Sequence, residues 1–364
     1  EKSAGSLPKM LTNASCVTAS DFDGDGDLDL FIGGRSVPGK YPLAPRSYVL
    51  ENDGKGNFTD ITSTTNQALE HPGMVTDAIW TDFNGDEKDD LIIVGEFMSV
   101  RIFENVANKL VERTNEAGLE DSQGWWNRIE QGDFDNDGDI DYIIANFGLN
   151  SQLKASKEEP VQLYVKDFDE NGSLDPILTS YVMGESYPVF SKDDLLGQLS
   201  GLKNRYVNYA DYANEKITDI FSTEELFGAT ILKANTFATS YVENLGDGKF
   251  VTMPLPDSSQ FAPIYGILVR DFNKDGNLDI VMAGNFFGNR VKYGRYDANK
   301  GLLLLGDGKG NFQEVENSKS GLNLIGEIRD IISIRREGNE GLIIFSRNDD
   351  GILTYKINSE KSEL

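Results

Sequence analysis

An aspartate-rich nonapeptide returns five times along this chain, and no other feature constrains the fold as tightly. The copies are DFDGDGDLD (21–29), DFNGDEKDD (82–90), DFDNDGDID (133–141), DFDENGSLD (167–175) and DFNKDGNLD (271–279). Oxygen-bearing side chains stand at positions 1, 3, 5 and 9, which is how a short loop surrounds a hard cation that takes about six to eight oxygens. Position 2 is Phe every time (Phe22, Phe83, Phe134, Phe168, Phe272), and position 8 is apolar in four copies. A solvated acidic run gives no reason to keep those apolar residues in register. The loop is therefore read as chelating on its outside and anchored in a core on its inside.

The surroundings of the loop repeat as well. An alternating stretch precedes it, as in 14–22, 75–83, 127–134 and 265–272, and a short apolar run follows it, such as Leu91-Ile92-Ile93-Val94. Both patterns predict β-strands. A second hairpin with a Gly-rich turn comes next at 48–58, 241–250 and 303–312, since Asp-Gly and Gly-Asn tolerate positive φ. Four antiparallel strands per unit, repeated in series, predict an all-β fold: a β-propeller of six to seven four-stranded blades. The expected blades are 14–62, 75–114, 126–180, 181–253, 264–315 and 326–357, in one domain spanning 1–364. The last has no acidic loop and no fourth strand, and residues near Pro8–Asn13 are expected to supply that strand and close the ring. The fourth nonapeptide follows the third so closely that it falls where other units carry their second hairpin. A small helical insertion is expected at about 190–227, with capping boxes at Ser191/Asp194 and Ser222/Glu225. Within it Tyr206, Tyr209 and Tyr212 recur every three residues and are expected to share a face.

Composition narrows the partners. The 364 residues carry 60 acidic and 34 basic side chains, a net charge of −26. Nucleic acid and anionic membrane surfaces both demand a positive face, which makes them poor partners for this chain. Hydrophobic content of 39% suffices for a core. The single cysteine, Cys16, cannot form an internal disulfide and reads as a buried small hydrophobe. No apolar run reaches the length of a membrane span, and no signal peptide is visible at Glu1. The chain is expected to be a processed or truncated form of something longer.

On these residues the chain resembles the FG-GAP/VCBS repeat family, the repeat of integrin α-subunit propellers and of bacterial surface proteins associated with ASPIC/UnbV regions. The likeness covers the first, second, third and fifth nonapeptide units, the last unit weakly and 190–227 not at all. It implies a propeller, calcium in the first hairpin loop of a blade, and an adhesive or ligand-binding role at a bacterial cell surface, secreted or in the periplasm.

Residue by residue, Asp21, Asp23, Asp25 and Asp29 are the donors of the first loop, with Asp27 giving its backbone carbonyl and Gly26 allowing the turn. Asp133, Asp135, Asp137 and Asp141 repeat this around Gly138 and Asp139. The fourth loop offers Asp167, Asp169, Asn171 and Asp175 with Gly172 and Ser173. The fifth offers Asp271, Asn273, Asp275 and Asp279 with Gly276 and Asn277. The second has Asp82, Asn84, Asp86 and Asp90, but Glu87 replaces the turn glycine and Lys88 adds a positive charge, so it ranks last. All-oxygen ligation suits Ca²⁺ over zinc, copper or magnesium, and about three to five structural ions are expected.

The metal loops should share one face of the propeller. The opposite face then receives 33–48 and 285–300, each with a net charge of +3, together with the linker at 123–128. Arg35, Tyr41, Arg46, Trp125, Trp126, Arg290, Tyr293, Arg295 and Tyr296 are the candidate ligand-binding residues there, because Arg, Tyr and Trp dominate binding hot spots and function collects on loops. An acidic glycan or a protein segment is the expected partner. Trp125 and Trp126 as packing aromatics, and the arginines as partners of neighbouring acids, are the plain alternatives. The only histidine, His71, lies in a turn-like linker, and no triad or carboxylate-pair spacing stands out. The chain therefore reads as a binding or adhesion module, with a calcium-dependent polysaccharide lyase or hydrolase built on the 285–300 loop as the alternative.

Overall fold

A computed structural model describes residues 5–335 and 341–357. The fold is all-β and propeller-like, and the helices are short. The first sheet is β1 (Asn13–Ser20), β2 (Asp29–Ser36), β3 (Tyr48–Asn52) and β4 (Phe58–Asp60), paired antiparallel in sequence order. The second repeats that order with β5 (Met74–Thr81), β6 (Asp90–Met98), β7 (Arg101–Asn105) and β8 (Leu110–Glu112). A two-residue strand, β9 (Gly124–Trp125), joins the far end of β6. In both sheets the acidic loop joins the first and second strands and the Gly-rich turn joins the third and fourth.

The third sheet departs from the expected boundaries. It opens with β10 (Arg128–Gly132) and β11 (Asp141–Ala145), and the chain then leaves it. Residues 146–239 contain a separate sheet of β12 (Val161–Lys166), β13 (Asp175–Val182), β14 (Glu185–Pro188) and β15 (Thr230–Ala234), ordered β14-β13-β12-β15. The chain returns with β16 (Ser240–Asn244) and β17 (Phe250–Pro254), and β16 pairs with β11. The stretches 126–180 and 181–253 are thus interleaved, not consecutive: one blade is split and a second sheet is set into it. The fourth nonapeptide is the β12–β13 loop of that inserted sheet. The predicted helices lie between β14 and β15, and the capping boxes at Ser191/Asp194 and Ser222/Glu225 are both present. Tyr206 and Tyr212 pack ring to ring at 5.6 Å, whereas Tyr209 is 62% exposed, so the three do not share a face.

Two further sheets complete the series. One is β18 (Ile264–Arg270), β19 (Asp279–Gly284), β20 (Leu302–Gly306) and β21 (Phe312–Val315). The other, β22 (Ile328–Arg335), β23 (Gly341–Arg347) and β24 (Asp350–Lys356), has three strands among the described residues. The expected closing strand from Pro8–Asn13 does not form. Residues 8–12 are outside any strand, Ser6 O accepts from Phe58 N (2.7 Å) and Thr12 Oγ1 donates to Arg46 O (2.9 Å). The amino-terminal segment is engaged by the first sheet instead.

Successive sheets share cores. One cluster joins the first two sheets through Phe22, Phe31, Trp80 and Phe103, and another joins the second to the third through Phe83, Trp126, Tyr142 and Phe250. Phe134, Tyr241 and Ile280 link the third to the fourth, and Val281, Leu303, Ile331 and Phe345 the fourth to the fifth. None of these clusters of described residues joins the fifth sheet to the first, so the arc is not closed by apolar packing. The first strands face a shared axis: Ser15, Thr76, Asn127, Tyr265 and Arg329 line one continuous space. Arg128 crosses that axis, with Asp77 at 3.4 Å, Glu130 at 3.1 Å and Asp330 at 3.4 Å. No helix among the described residues is long and apolar enough to cross a membrane.

Candidate functional site

The nonapeptide acts locally through its ninth residue. Asp29, Asp90, Asp141, Asp175 and Asp279 are all buried. In the ring blades one carboxylate oxygen accepts a backbone N–H from the third strand: Asn52 to Asp29 (2.8 Å), Asn105 to Asp90 (2.6 Å), Asn244 to Asp141 (2.8 Å) and Gly306 to Asp279 (3.1 Å). The other oxygen accepts from the Phe at position 2 in four loops, as Phe134 N does to Asp141 (3.2 Å) and Phe272 N to Asp279 (2.7 Å). Position 9 is therefore a clamp between the loop and the third strand before any ion is considered. Burial pushes the Asp29 and Asp141 carboxyls up to about 6 and that of Asp90 up to about 7, because a charged carboxylate loses solvation there.

The Phe at position 2 reaches the next blade. Phe22 stacks on Trp80 (5.6 Å), Phe83 meets Phe250 (6.1 Å), and Phe134 meets Phe312 (5.6 Å), packing also on Tyr241 of its own blade (5.9 Å). A second link runs back. Asn105 Nδ2 donates to Phe22 O (2.6 Å) and Asn244 Nδ2 to Phe83 O (2.8 Å), so each buried asparagine ties its own blade to the preceding loop. In the fourth ring sheet this position is Gly306, where a Cβ would lie 2.2 Å from Leu278 O; Gly310 N takes over the donation, to Phe134 O (3.2 Å). Sequence reading missed these asparagines. Their signal was the recurring Glu-Asn at 51–52, 104–105 and 243–244, which also marks β16 as the third strand of a blade begun a hundred residues earlier. Position 8 is not uniformly an anchor, since Leu28 is 57% exposed.

Carboxylates converge in three loops. Ligand atoms of Asp21, Asp23 and Asp25 lie within 4.8 Å of one another, as do those of Asp133, Asp135 and Asp141, and those of Asp167, Asp169 and Asp175. Asp21 Oδ1, Asp29 Oδ2 and Asp133 Oδ1 are buried and accept no hydrogen bond. Anionic oxygens turned inward without a donor are what a bound cation would satisfy. The residues of the first and third loops thus fit a hard divalent ion. The remaining side chains fold the loop: Gly26 N donates to Asp21 Oδ2 (3.0 Å) and Gly138 N to Asp133 Oδ2 (3.2 Å).

The fifth loop, expected to match the first and third, does not bring three carboxylates together. Asn273 Nδ2 donates to Asp275 Oδ2 (2.9 Å) instead. The second loop differs as its sequence suggested: Lys88 Nζ pairs with Asp86 Oδ2 (2.7 Å). Glu87 there takes φ +65°, where Gly26, Gly138 and Gly276 take +96°, +99° and +97°, a region a side chain rarely enters.

The candidate ligand residues divide. Trp126 is fully buried and donates to Ser122 O (2.9 Å), so it belongs to the core. Arg46 pairs with Asp60 (2.9 Å) and Glu70 (3.1 Å). Arg290 pairs with Asp194 (2.5 Å), Arg295 lies over Phe287 (4.9 Å), and Tyr293 OH donates to Val189 O (3.1 Å). Tyr296 packs on Phe147 at 4.9 Å. The 285–300 loop therefore docks the insertion: Lys292 also reaches Asp194 (3.1 Å). Hydrogen bonding from Ser191 foremost, against the opposing cost of burial, together with the Lys292 ammonium holds the Asp194 carboxyl far below the usual carboxylate range.

Arg35 and Trp125 open onto a different feature. A cavity of about 500 Å³ sits at the axis, lined by Ser15, Arg35, Thr76, Glu96, Trp125, Asn127, Phe147, Tyr265, Phe286 and Arg329. Arg35 and Glu96 lie toward the ends of β2 and β6 remote from the acidic loops, so the mouth is on the face opposite them. Arg35 and Tyr41 OH both hydrogen-bond Glu96. Arg329 pairs with Glu327 (2.7 Å) and lies over Tyr265 (4.4 Å). Trp125 packs edge-on to Phe97, Phe147 and Phe237, and its buried indole N–H has no acceptor. Sequence reading missed Glu96, Phe147, Tyr265, Phe286 and Arg329, because only the closing of strands around an axis brings them together. His71 is exposed, with Nδ1 3.2 Å from Ala44 O, and burial pushes the Cys16 thiol up to about 12.

No curated protein matches the sequence. Among solved structures, the chain aligns with an Agrocybe aegerita lectin that recognises non-reducing terminal N-acetylglucosamine (15% identity, 94% of this chain and 85% of that one, TM-score 0.31). It aligns also with the V. cholerae biofilm matrix protein Bap1 (10%, 95% and 69%, TM-score 0.35) and with BBS1N in complex with ARL6DN (11%, 96% and 92%, TM-score 0.28). Scores of that size carry no argument, and the architecture rests on the strand pairing. The FG-GAP-like repeat family model matches residues 21–93 and 82–144, the span in which the acidic loop and the inward Phe recur three times. Over that span the chain is built of FG-GAP-like repeats.

Proposed function

We propose that the protein is a calcium-stabilised, extracytoplasmic ligand-binding or adhesion module, with its acidic loops as structural ion sites and the axial cavity as its ligand site. The observation that carries the metal reading is the convergence of Asp21, Asp23 and Asp25, and of Asp133, Asp135 and Asp141, around buried oxygens without donors. Bound Ca²⁺ would neutralise those carboxylates and stabilise the fold by mass action. Isolated loops of this kind outside cells bind with dissociation constants of about 10⁻⁴–10⁻³ M, which supports an extracytoplasmic setting. Excess chelator should lower the melting temperature by several degrees. An unchanged melt, with no heat on calcium titration, would remove the structural role.

The cavity supports an uncharged, ring-shaped ligand such as a neutral saccharide over the acidic glycan that the positive loops suggested. Its charges are already matched, Arg35 by Glu96 and Arg329 by Glu327, and the positive loops are engaged by Asp60, Glu70 and Asp194. What remains is aromatic wall with hydrogen-bonding edges, the usual make-up of a small-ligand site. A glycan array should show neutral sugars retained by the native protein and lost in Trp125→Ala. Retention of acidic glycans alone, unaffected by that change, would overturn the assignment, and turnover of a polysaccharide would move the reading to the lyase or hydrolase class.

A further inference from the structure

Each ring sheet gives one equivalent residue to the axis, and in four of them an irregularity of the first strand delivers it. In β1, β5, β18 and β22 the register with the second strand slips by one residue, and the residue left over is Ser15, Thr76, Tyr265 and Arg329 respectively. Bulges of this kind re-aim a side chain. Asn127 stands at the same place, immediately before β10, and all five line the axial cavity. Ser15, Thr76, Asn127 and Tyr265 each lie six residues before the nonapeptide of their sheet, which begins at 21, 82, 133 and 271. The repeat itself therefore places them.

Three of the five use that position to tie the ring. Ser15 Oγ donates to Val75 O (2.7 Å), Thr76 Oγ1 to Trp126 O (2.8 Å) and Asn127 Nδ2 to Ile264 O (3.0 Å). Each acceptor directly precedes the equivalent residue of the next ring sheet, so these bonds run head to tail around the axis. Tyr265 leaves the pattern. Its hydroxyl makes no hydrogen bond among the described residues, and its ring is covered by the Arg329 guanidinium (4.4 Å). Arg329 is itself fixed, with Nη1 donating to Asn285 O (3.0 Å) and Nη2 to Glu327 (2.7 Å). Burial pushes the Tyr265 phenol up to about 12, so it remains a donor at neutral pH. Departures from a local rule collect at functional sites. We propose, resting on the reading of the axial cavity as the ligand site, that Tyr265 is its specificity-determining residue, donating its hydroxyl hydrogen to one hydroxyl oxygen of a neutral sugar.

The test uses the full chain and the methyl glycosides of glucose, galactose and mannose, each with its monodeoxy derivatives, titrated by calorimetry. The native protein should bind a parent glycoside and hold one of its deoxy derivatives about two- to tenfold more weakly, the scale of one neutral hydrogen bond. Tyr265→Phe should weaken the parent by the same factor and bind that derivative as the native protein does, because the two groups removed form one interaction. Melting should be unchanged in Tyr265→Phe and lowered in Thr76→Val, which leaves Trp126 O without its donor; that contrast separates a lost contact from a folding defect. If Trp125→Ala abolishes binding while Tyr265→Phe binds every glycoside as the native protein does, the ligand site stands and the role of Tyr265 is overturned. If the native protein binds no neutral glycoside, the site reading itself falls, and the role of Tyr265 with it.

Discussion

The third and fourth nonapeptides differ at few positions yet sit in different structures. In the third, Phe134 reaches the following blade and Asp141 clamps the third strand through Asn244 N. In the fourth, Phe168 lies against Phe221 of the insertion's own helices, at 4.5 Å, and the strand after β13 is a tight hairpin partner, β14. Both loops gather three aspartates. The motif therefore specifies a hairpin with a chelating tip, and it does not by itself specify a blade. What the second, third and fourth ring sheets add is a second element, a donor after or at the end of the third strand that reaches back to the preceding loop.

The sharpest way to break this contrast is to truncate the two phenylalanines. Phe134→Ala removes a buried ring from the junction of two blades and should cost about 3–5 kcal/mol in urea or thermal unfolding. Phe168→Ala should cost less, and hydrogen exchange should place its effect within 161–234. Equal losses would show that the inserted sheet is as central to stability as the ring. Next in size, Asn244→Ala leaves the carbonyls of Phe83 and Ile140 without their donor and should destabilise by about 1–3 kcal/mol. A neutral result would mean the asparagine is a passenger. The smallest effect concerns the insertion's seat on the 285–300 loop. Because the folded-state pKa of Asp194 is depressed, its contribution is fully present above the ordinary carboxylate range, near pH 4, and is lost as the pH falls through the depressed value. Exchange protection around 190–200 and 290–293 should therefore drop in acid before that of the ring blades, and Asp194→Asn should abolish the pH dependence.

Much of this was legible in the chain. The period-2 runs, the Asp-Gly and Gly-Asn turns and the register of Phe in the nonapeptide predict the strands, the turns and the inward face, because each is a local property. What escaped was connectivity across distance. Nothing local at Ala145 signals that β11 will wait for β16, and only the repetition of Glu-Asn at 243–244 carries that information. The pairing of the positive loops was hidden for a related reason. Arg35, Arg46 and Arg290 look unopposed along the chain, but their acids, Glu96, Asp60 and Asp194, arrive from other segments. The second acidic loop's departures, Glu87 at positive φ and Lys88 paired with Asp86, were legible because they lie inside the nonapeptide itself.

The tie from each asparagine to the loop before it has a direction. The second, third and fourth ring sheets each tie back to the loop before them, so the series is polar, like courses of overlapping tiles. β22 and β23 pair as a hairpin, and the sequence between them carries no nonapeptide.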